Sequence, residues 1–248
     1  MDTHIKAQLN HAVRMRLRAL DWRIILLIPL LLSVLTACSI NQNHSTAQHV
    51  SISLAPDDLE TWGVAFMSPS TVTGREEDKQ ALAFIVGKVL TEERPDIRQV
   101  SLPYALGAIN KAGLAGEYKT MFEDYRTTGI FDQRVLNKVG SVLNTRYVMQ
   151  LNLASFAQGS QGRFSILGYR LFQTKHANIR IFIQIWDTKT GSIAWEGVEE
   201  LILSEETTRE KVINFTTVVE ASARNLIQLL PESAGEPEQV SQKTAPAY

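Results

Sequence analysis

The chain has 248 residues, 44% hydrophobic and 21% charged, with a formal net charge of −1. This balance excludes a largely disordered chain and a nucleic-acid binder held by bulk charge, and the length allows one large domain or two small ones. A single cysteine excludes an intramolecular disulfide and a cysteine-rich metal site.

Residues 1–23 carry Lys6, Arg14, Arg16, Arg18 and Arg23 against Asp2 and Asp21. A 12-residue run, Ile24 to Leu35, follows and is broken only by Pro29 and Ser33. A membrane-spanning helix needs about 20 apolar residues, so this run matches the apolar region of a secretory signal peptide instead. The next residues, Leu35-Thr36-Ala37-Cys38, resemble the lipobox of bacterial lipoproteins: a branched apolar residue, two small residues, then the lipid-accepting cysteine. The resemblance implies diacylglycerol on the Cys38 sulfur, cleavage after Ala37 and acylation of the new amino group. Residues 1–37 would be the signal peptide, and the membrane would be the first partner, through Cys38. More than one acyl chain anchors a protein stably, whereas one does so marginally. Ser39 stands where an aspartate would mark inner-membrane retention, so the expected location is the outer membrane of a Gram-negative bacterium, facing the periplasm. Met15 is an alternative start that leaves the lipobox unchanged.

Residues 38–56 are polar and without periodicity, and read as a lipidated flexible tether with a reach on the order of tens of Å. Trp62 to Met67 is a short apolar run closed by Ser68-Pro69-Ser70, a buried strand. Glu76 to Glu93 places Leu82, Ile85, Val86, Val89 and Leu90 at helical spacing, and Pro95 ends that helix. Asp96 to Leu102 reads as a second short strand. Tyr104 to Arg126 reads as two short helices separated by glycines. Asp132 to Leu143 is a helix with Val135, Leu136, Val139 and Leu143 on one face. Tyr147 to Phe156 reads as a strand, and Asn178 to Trp186 alternates Ile179, Ile181, Ile183 and Ile185 with other residues, which marks a strand with one aliphatic face. Asp187 to Gly191 is a turn leading to the returning strand Ser192 to Leu203. Glu210 to Leu230 closes as a helix, and 232–248 reads as a disordered tail. The folded part is thus a single α+β domain over 57–231, a mixed β-sheet with helices packed against it in the order βαβααβββα.

Three stretches resemble a group of bacterial envelope lipoproteins that includes the curli-secretion channel protein CsgG, the penicillin-binding-protein activator LpoB and domains like the N-terminal domain of TolB. They are Gly63 to Pro69, Leu136 to Gln150, and the hairpin Ile185 to Trp195. The span from Ala157 to Ala177 departs from that pattern, so no partner surface carries over residue by residue. No extended pair of alternating, lipid-facing strands of the kind a secretion barrel needs is evident.

The chain has no Gly-x-Ser-x-Gly, His-Glu-x-x-His or phosphate-cradling glycine loop, and no cofactor is implied. His4, His11, His44 and His49 fall in the leader or tether, and His176 reads as a solvated loop residue rather than a general base. The carboxylates at Glu76-Glu77-Asp78, Glu199-Glu200 and Glu205-Glu206 read as solvated faces. No enzymatic activity is expected. The span 158–177 has no acidic residue and mixes aromatics with arginines, a mixture typical of interface centres. Arg163, Phe164, Tyr169, Arg170 and Phe172 are the candidate partner-binding residues; the alternative is that these aromatics fold back as a lid on the sheet. The tryptophans at 62, 186 and 195 are expected in or at the edge of the core. The preferred function is a non-catalytic adaptor that binds an envelope protein. The alternatives are a self-associating subunit of a ring-shaped export assembly, and a cryptic enzyme or small-ligand binder.

Overall fold

The computed structural model describes residues 42–166, 169–207 and 214–232. Among them are seven strands: β1 (Gln42–Ser51), β2 (Val64–Phe66), β3 (Ser70–Thr71), β4 (Gln99–Val100), β5 (Tyr147–Ile166), β6 (Tyr169–Asp187) and β7 (Ser192–Thr207). They form one mixed sheet in the order β1-β7-β6-β5-β2-β4, with β3 beside β5. β1, β7, β6 and β5 are mutually antiparallel, whereas β2 runs parallel to both β5 and β4. The helices are α1 (Asp58–Trp62), α2 (Glu76–Glu93), α3 (Leu102–Lys111), α4 (Ala115–Thr128), α5 (Gln133–Leu143) and α6 (Phe215–Ile227).

Helices cover both faces of the sheet, and strand alternation explains how one short segment serves both. Val64 and Phe66 pack with α2 and α6, while Ala65 and Met67 pack with α3, α4 and α5. A strand buried on both faces reads as a continuous apolar run, as Val64 to Met67 does. The aliphatic side of β6, from Ile179 to Ile185, lies on the α2–α6 face, and Trp186 lies on the other. There it meets an aromatic group: Tyr125 stacks on Phe131 at 4.1 Å, and Phe131 meets Trp186 edge-on at 5.0 Å. Tyr118 ties this layer to the end of β2, because the Ser68 N–H donates to its hydroxyl at 2.9 Å. Asp132 caps α5 by accepting from the Arg134 and Val135 N–H groups, the ordinary service of an aspartate at a helix start.

Several expectations change. The segment expected to be a flexible tether, residues 38–56, contains the ten-residue strand β1, paired with β7 from Gln42↔Ser204 to Ser51↔Trp195. An edge strand can be mostly polar, because main-chain hydrogen bonds rather than an apolar face hold it, and composition does not report those. The span Ala157 to Ala177 is no loop: β5 and β6 continue pairing through it to Ile166↔Tyr169. β5 and β6 therefore form a long antiparallel strand pair. Of the tryptophans expected in or at the edge of the core, Trp186 and Trp195 are buried, whereas Trp62 is 42% exposed, with the Lys189 ammonium 5.0 Å from its ring centre. The strand expected over Asp96 to Leu102 shortens to two residues, because Leu102-Pro103 already begins α3, where proline is well tolerated. The leader 1–37, Cys38 and the tail from 233 lie outside the described residues.

The end of the sheet opposite the long hairpin is closed by charge. Arg146 Nη2 lies 2.8 Å from Asp187 Oδ2, the Lys189 N–H donates to Asp187 Oδ1 at 2.8 Å, and the Tyr147 hydroxyl donates to Asp58 at 2.8 Å. Burial and the neighbouring Asp58 carboxylate push the Tyr147 phenol well above its usual range. For Asp187, burial acts upward, but the Arg146 guanidinium and the Lys189 and Thr190 N–H groups outweigh it and hold the carboxyl below its usual value. A carboxyl with a lowered folded-state pKa stabilises the fold fully above its unfolded value of about 4. That stabilisation is lost as pH falls through the lower, folded-state pKa. Asp187→Asn is therefore expected to lower the urea midpoint at pH 7 and to flatten the loss of stability below about pH 4. A variant whose stability-versus-pH curve runs parallel to wild type would contradict this assignment.

Candidate functional site

The most prominent feature is the distal half of the β5–β6 hairpin. The core ends near Phe156, whose ring meets Phe215 of α6 edge-on at 5.2 Å, and Ala177, which is fully buried. Beyond that level β5 and β6 run on from Gly159↔His176 to Ile166↔Tyr169, about 25 Å at the usual strand rise. β7 accompanies them as far as Gln173↔Thr207. His176 is exposed on β6, and its ring lies over Gly159, where any Cβ would collide with it. It is therefore a strand residue rather than the loop residue expected.

The ladder gathers the five candidate residues at this distal end. Phe164 stands opposite Phe172, Arg170 opposite Ser165, and Tyr169 opposite Ile166. Arg163 falls at a register irregularity between Gly162 and Phe164. All five fall on the distal part of one hairpin.

The register also relates the hairpin to Cys38. Gln42, where β1 begins, pairs with Ser204, which pairs with His176, which pairs with Gly159. The chain thus enters the sheet at the base of the projecting hairpin and from the same end. Only residues 39–41 separate Cys38 from β1, at most about 14 Å of chain. β1 is fastened by side chains as well as by its ladder. Ser45 Oγ donates to the buried Glu199 carboxylate at 2.7 Å, Asn225 of α6 donates to the same oxygen at 2.9 Å, and the His49 ring stacks with Trp195. Glu199 is therefore buried rather than on the solvated face expected, and sequence reading missed this clamp because Ser45, Glu199 and Asn225 are far apart in the chain.

A second feature is a groove of about 1100 Å³ at the opposite edge of the sheet, between α2, β4 and α3. Phe66, Ala83 and Leu102 form part of its wall, and the exposed rings of Phe84 and Tyr104 flank it. No sequence signal marks it, since Phe84 and Tyr104 are isolated aromatics on two separate helices. Among the described residues no group of three or more histidines, cysteines or carboxylates could hold a metal, and no helix is long and apolar enough to cross a membrane.

An α+β domain with a mixed sheet and helices on both faces is the class that this architecture defines. No protein-family model and no curated protein matches the chain. Solved structures similar to it include the PelC dodecamer from Paraburkholderia phytofirmans, with 11% identity, a TM-score of 0.42, and coverage of 76% of this chain and 99% of that one. They also include lipoprotein GNA1162 from Neisseria meningitidis, with 9% identity, a TM-score of 0.33, and coverage of 66% and 96%. The LpoB C-terminal domain from Salmonella enterica is similar at 11% identity, with a TM-score of 0.32 and coverage of 60% and 86%. Bacterial lipoproteins are thus among the similar structures. Values at this level say nothing about what the chain does.

Proposed function

We propose that this chain is a lipid-anchored, non-catalytic accessory protein of the bacterial envelope. Acylated at Cys38, it sits on the periplasmic side of the outer membrane and presents the β5–β6 hairpin to a protein partner at the membrane surface. The observation that carries this reading is the row Gln42–Ser204–His176–Gly159. Because β1 enters from the hairpin end, a short link to an acylated Cys38 directs the hairpin toward the membrane that holds the lipid. This replaces the picture of a domain hanging on a long tether, since β1 takes up most of that segment. The mixture of Arg163, Arg170, Phe164, Tyr169 and Phe172 with no carboxylate in 158–177 is the chemistry of an interface centre.

The test is a variant with Arg163, Tyr169, Arg170 and Phe172 all changed to Ala. It is expected to keep its unfolding free energy to within about 0.5 kcal/mol, as changes beyond the core generally do. It is also expected to lose the crosslinks to envelope proteins that wild type forms in cells. A variant that retains every crosslink and the wild-type phenotype would end the reading. The long strand pair also favours a second reading, a subunit of a ring in which hairpins from neighbouring copies meet at the membrane. Light scattering of the full acylated protein in detergent separates the two. A monomer or dimer fits the accessory protein, and a large discrete particle fits the ring.

A further inference from the structure

We infer that the groove between α2, β4 and α3 binds an extended, acidic peptide segment of a partner protein, added as a strand alongside β4. This stands apart from the hairpin reading, because the groove lies at the other end of the sheet. β4 pairs with β2 at Val64↔Gln99, and β2 pairs with β5 at Val64↔Tyr147, twelve residues before Gly159. At the strand rise that is on the order of 40 Å from the hairpin base.

Three observations carry it. First, β4 is the outer strand of the described sheet on this side. The Val64 N–H donates to the Arg98 carbonyl at 2.9 Å, so Arg98 and Val100 turn their main-chain groups to β2. Main-chain groups alternate sides in a parallel ladder, so the Gln99 N–H and C=O point away from β2, toward the open edge. A sheet edge of this kind is a template for an added strand. The Gln99 side chain is already committed, donating to the Gly87 carbonyl at 3.0 Å and to Thr91 Oγ1.

Second, the flanks supply apolar anchors. Phe84 on α2 is 75% exposed and Tyr104 on α3 is 69% exposed, one on each side of the strand edge. Large aromatics at such exposure are where a partner's side chains find contact area. Third, the charge is one-sided. The charged residues lining the groove are Lys88 and Arg98, and no carboxylate lines it. Lys88 is engaged outside it, 2.8 Å from Glu220 and 3.7 Å from Glu92. Arg98 donates through Nη2 to the Trp62 and Asn144 carbonyls and has no carboxylate partner among the described residues. Its guanidinium retains donors for a partner's carboxylate, the acceptor that fits its planar fork. The occupant that satisfies all three is a chain in extended conformation with apolar side chains for Phe84 and Tyr104 and an Asp, a Glu or a terminal carboxylate near Arg98.

The experiment pans a random heptapeptide library on phage against the full acylated protein in detergent, then measures the enriched peptides by fluorescence anisotropy. Enriched peptides are expected to carry a carboxylate and alternating apolar residues. They are expected to bind wild type about tenfold more tightly than Arg98→Glu or Phe84→Ala, and to lose binding when proline replaces their central residue. Phe84 is exposed, so its replacement keeps the test valid even if Arg98→Glu fails to fold. No enrichment, basic consensus peptides, or equal binding to wild type and Phe84→Ala would overturn the proposal. Binding that appears only after residues 233–248 are removed would assign the groove to the chain's own tail and overturn it. A dimer that Phe84→Ala dissociates would assign it to a second copy and overturn it as well.

Discussion

Replacing Trp195 with alanine is expected to destabilise the domain by about 3–5 kcal/mol, read as a large fall in the urea midpoint. Trp195 has no exposed surface and is among the largest fully buried side chains. Its ring lies across Gly197, where any Cβ would collide with the indole and press tightly on Leu226 of α6. The pair is therefore a lock in which a missing side chain makes room for a large one. Gly197→Ala is the complementary test, expected to cost about 1–3 kcal/mol by overpacking. Trp195 also sits where β1 ends. The Ala194 carbonyl accepts from the Ile52, Ser53 and Leu54 N–H groups at 2.9, 3.0 and 3.2 Å, and His49 stacks on the indole at 6.1 Å. The alanine variant is thus expected to loosen β1 as well, with faster amide exchange over 45–51. An unchanged midpoint would show that the ring is not the wedge between sheet and helix described here.

Cys38→Ser is expected to abolish fatty-acid incorporation completely and to remove the mature chain from the membrane fraction. The single cysteine is the only thiol available for lipid. Stable attachment takes more than one acyl chain, and no other residue supplies one. The measurement is palmitate labelling together with mass spectrometry of the mature N-terminus. An unmodified Cys38, or a mature chain beginning elsewhere, would remove the anchor from the proposed function and with it the reason for the hairpin to face a membrane. In the same experiment a peptide containing Asp2 or Thr3 in the trapped precursor would exclude Met15 as the start.

The core elements were legible because their burial is periodic. Leu82, Ile85, Val86, Val89 and Leu90 recur at helical spacing, and the helix spans Glu76–Glu93 as that spacing predicts. The alternation of Ile179, Ile181, Ile183 and Ile185 marks the β6 face that α6 covers. What stayed hidden was held by main chain rather than by apolar pattern. β1 is mostly polar, with Ala47 and Val50 its only apolar residues, and the distal hairpin carries glycines and polar residues without strict alternation, because neither builds a two-sided core. Periodicity reports burial, and these strands are held mostly by their ladders. The candidate residues could be chosen by composition, since arginine and aromatics without carboxylates are unusual in a 20-residue span. Their common position at the end of a projecting strand pair was not visible in that composition.

By itself the sequence determined the α+β class and the identity of the helices and central strands, since each rests on residues adjacent or periodic in the chain, and it supplied the expectation of a lipid address at Cys38. Only the tertiary structure decided that the chain enters the sheet from the hairpin end and that Ser45, Glu199 and Asn225 meet. It alone set Phe84 and Tyr104 on either side of an open strand edge. Those are relations between residues tens to hundreds of positions apart. They are set by strand register and helix packing, which depend on every element finding its partner at once.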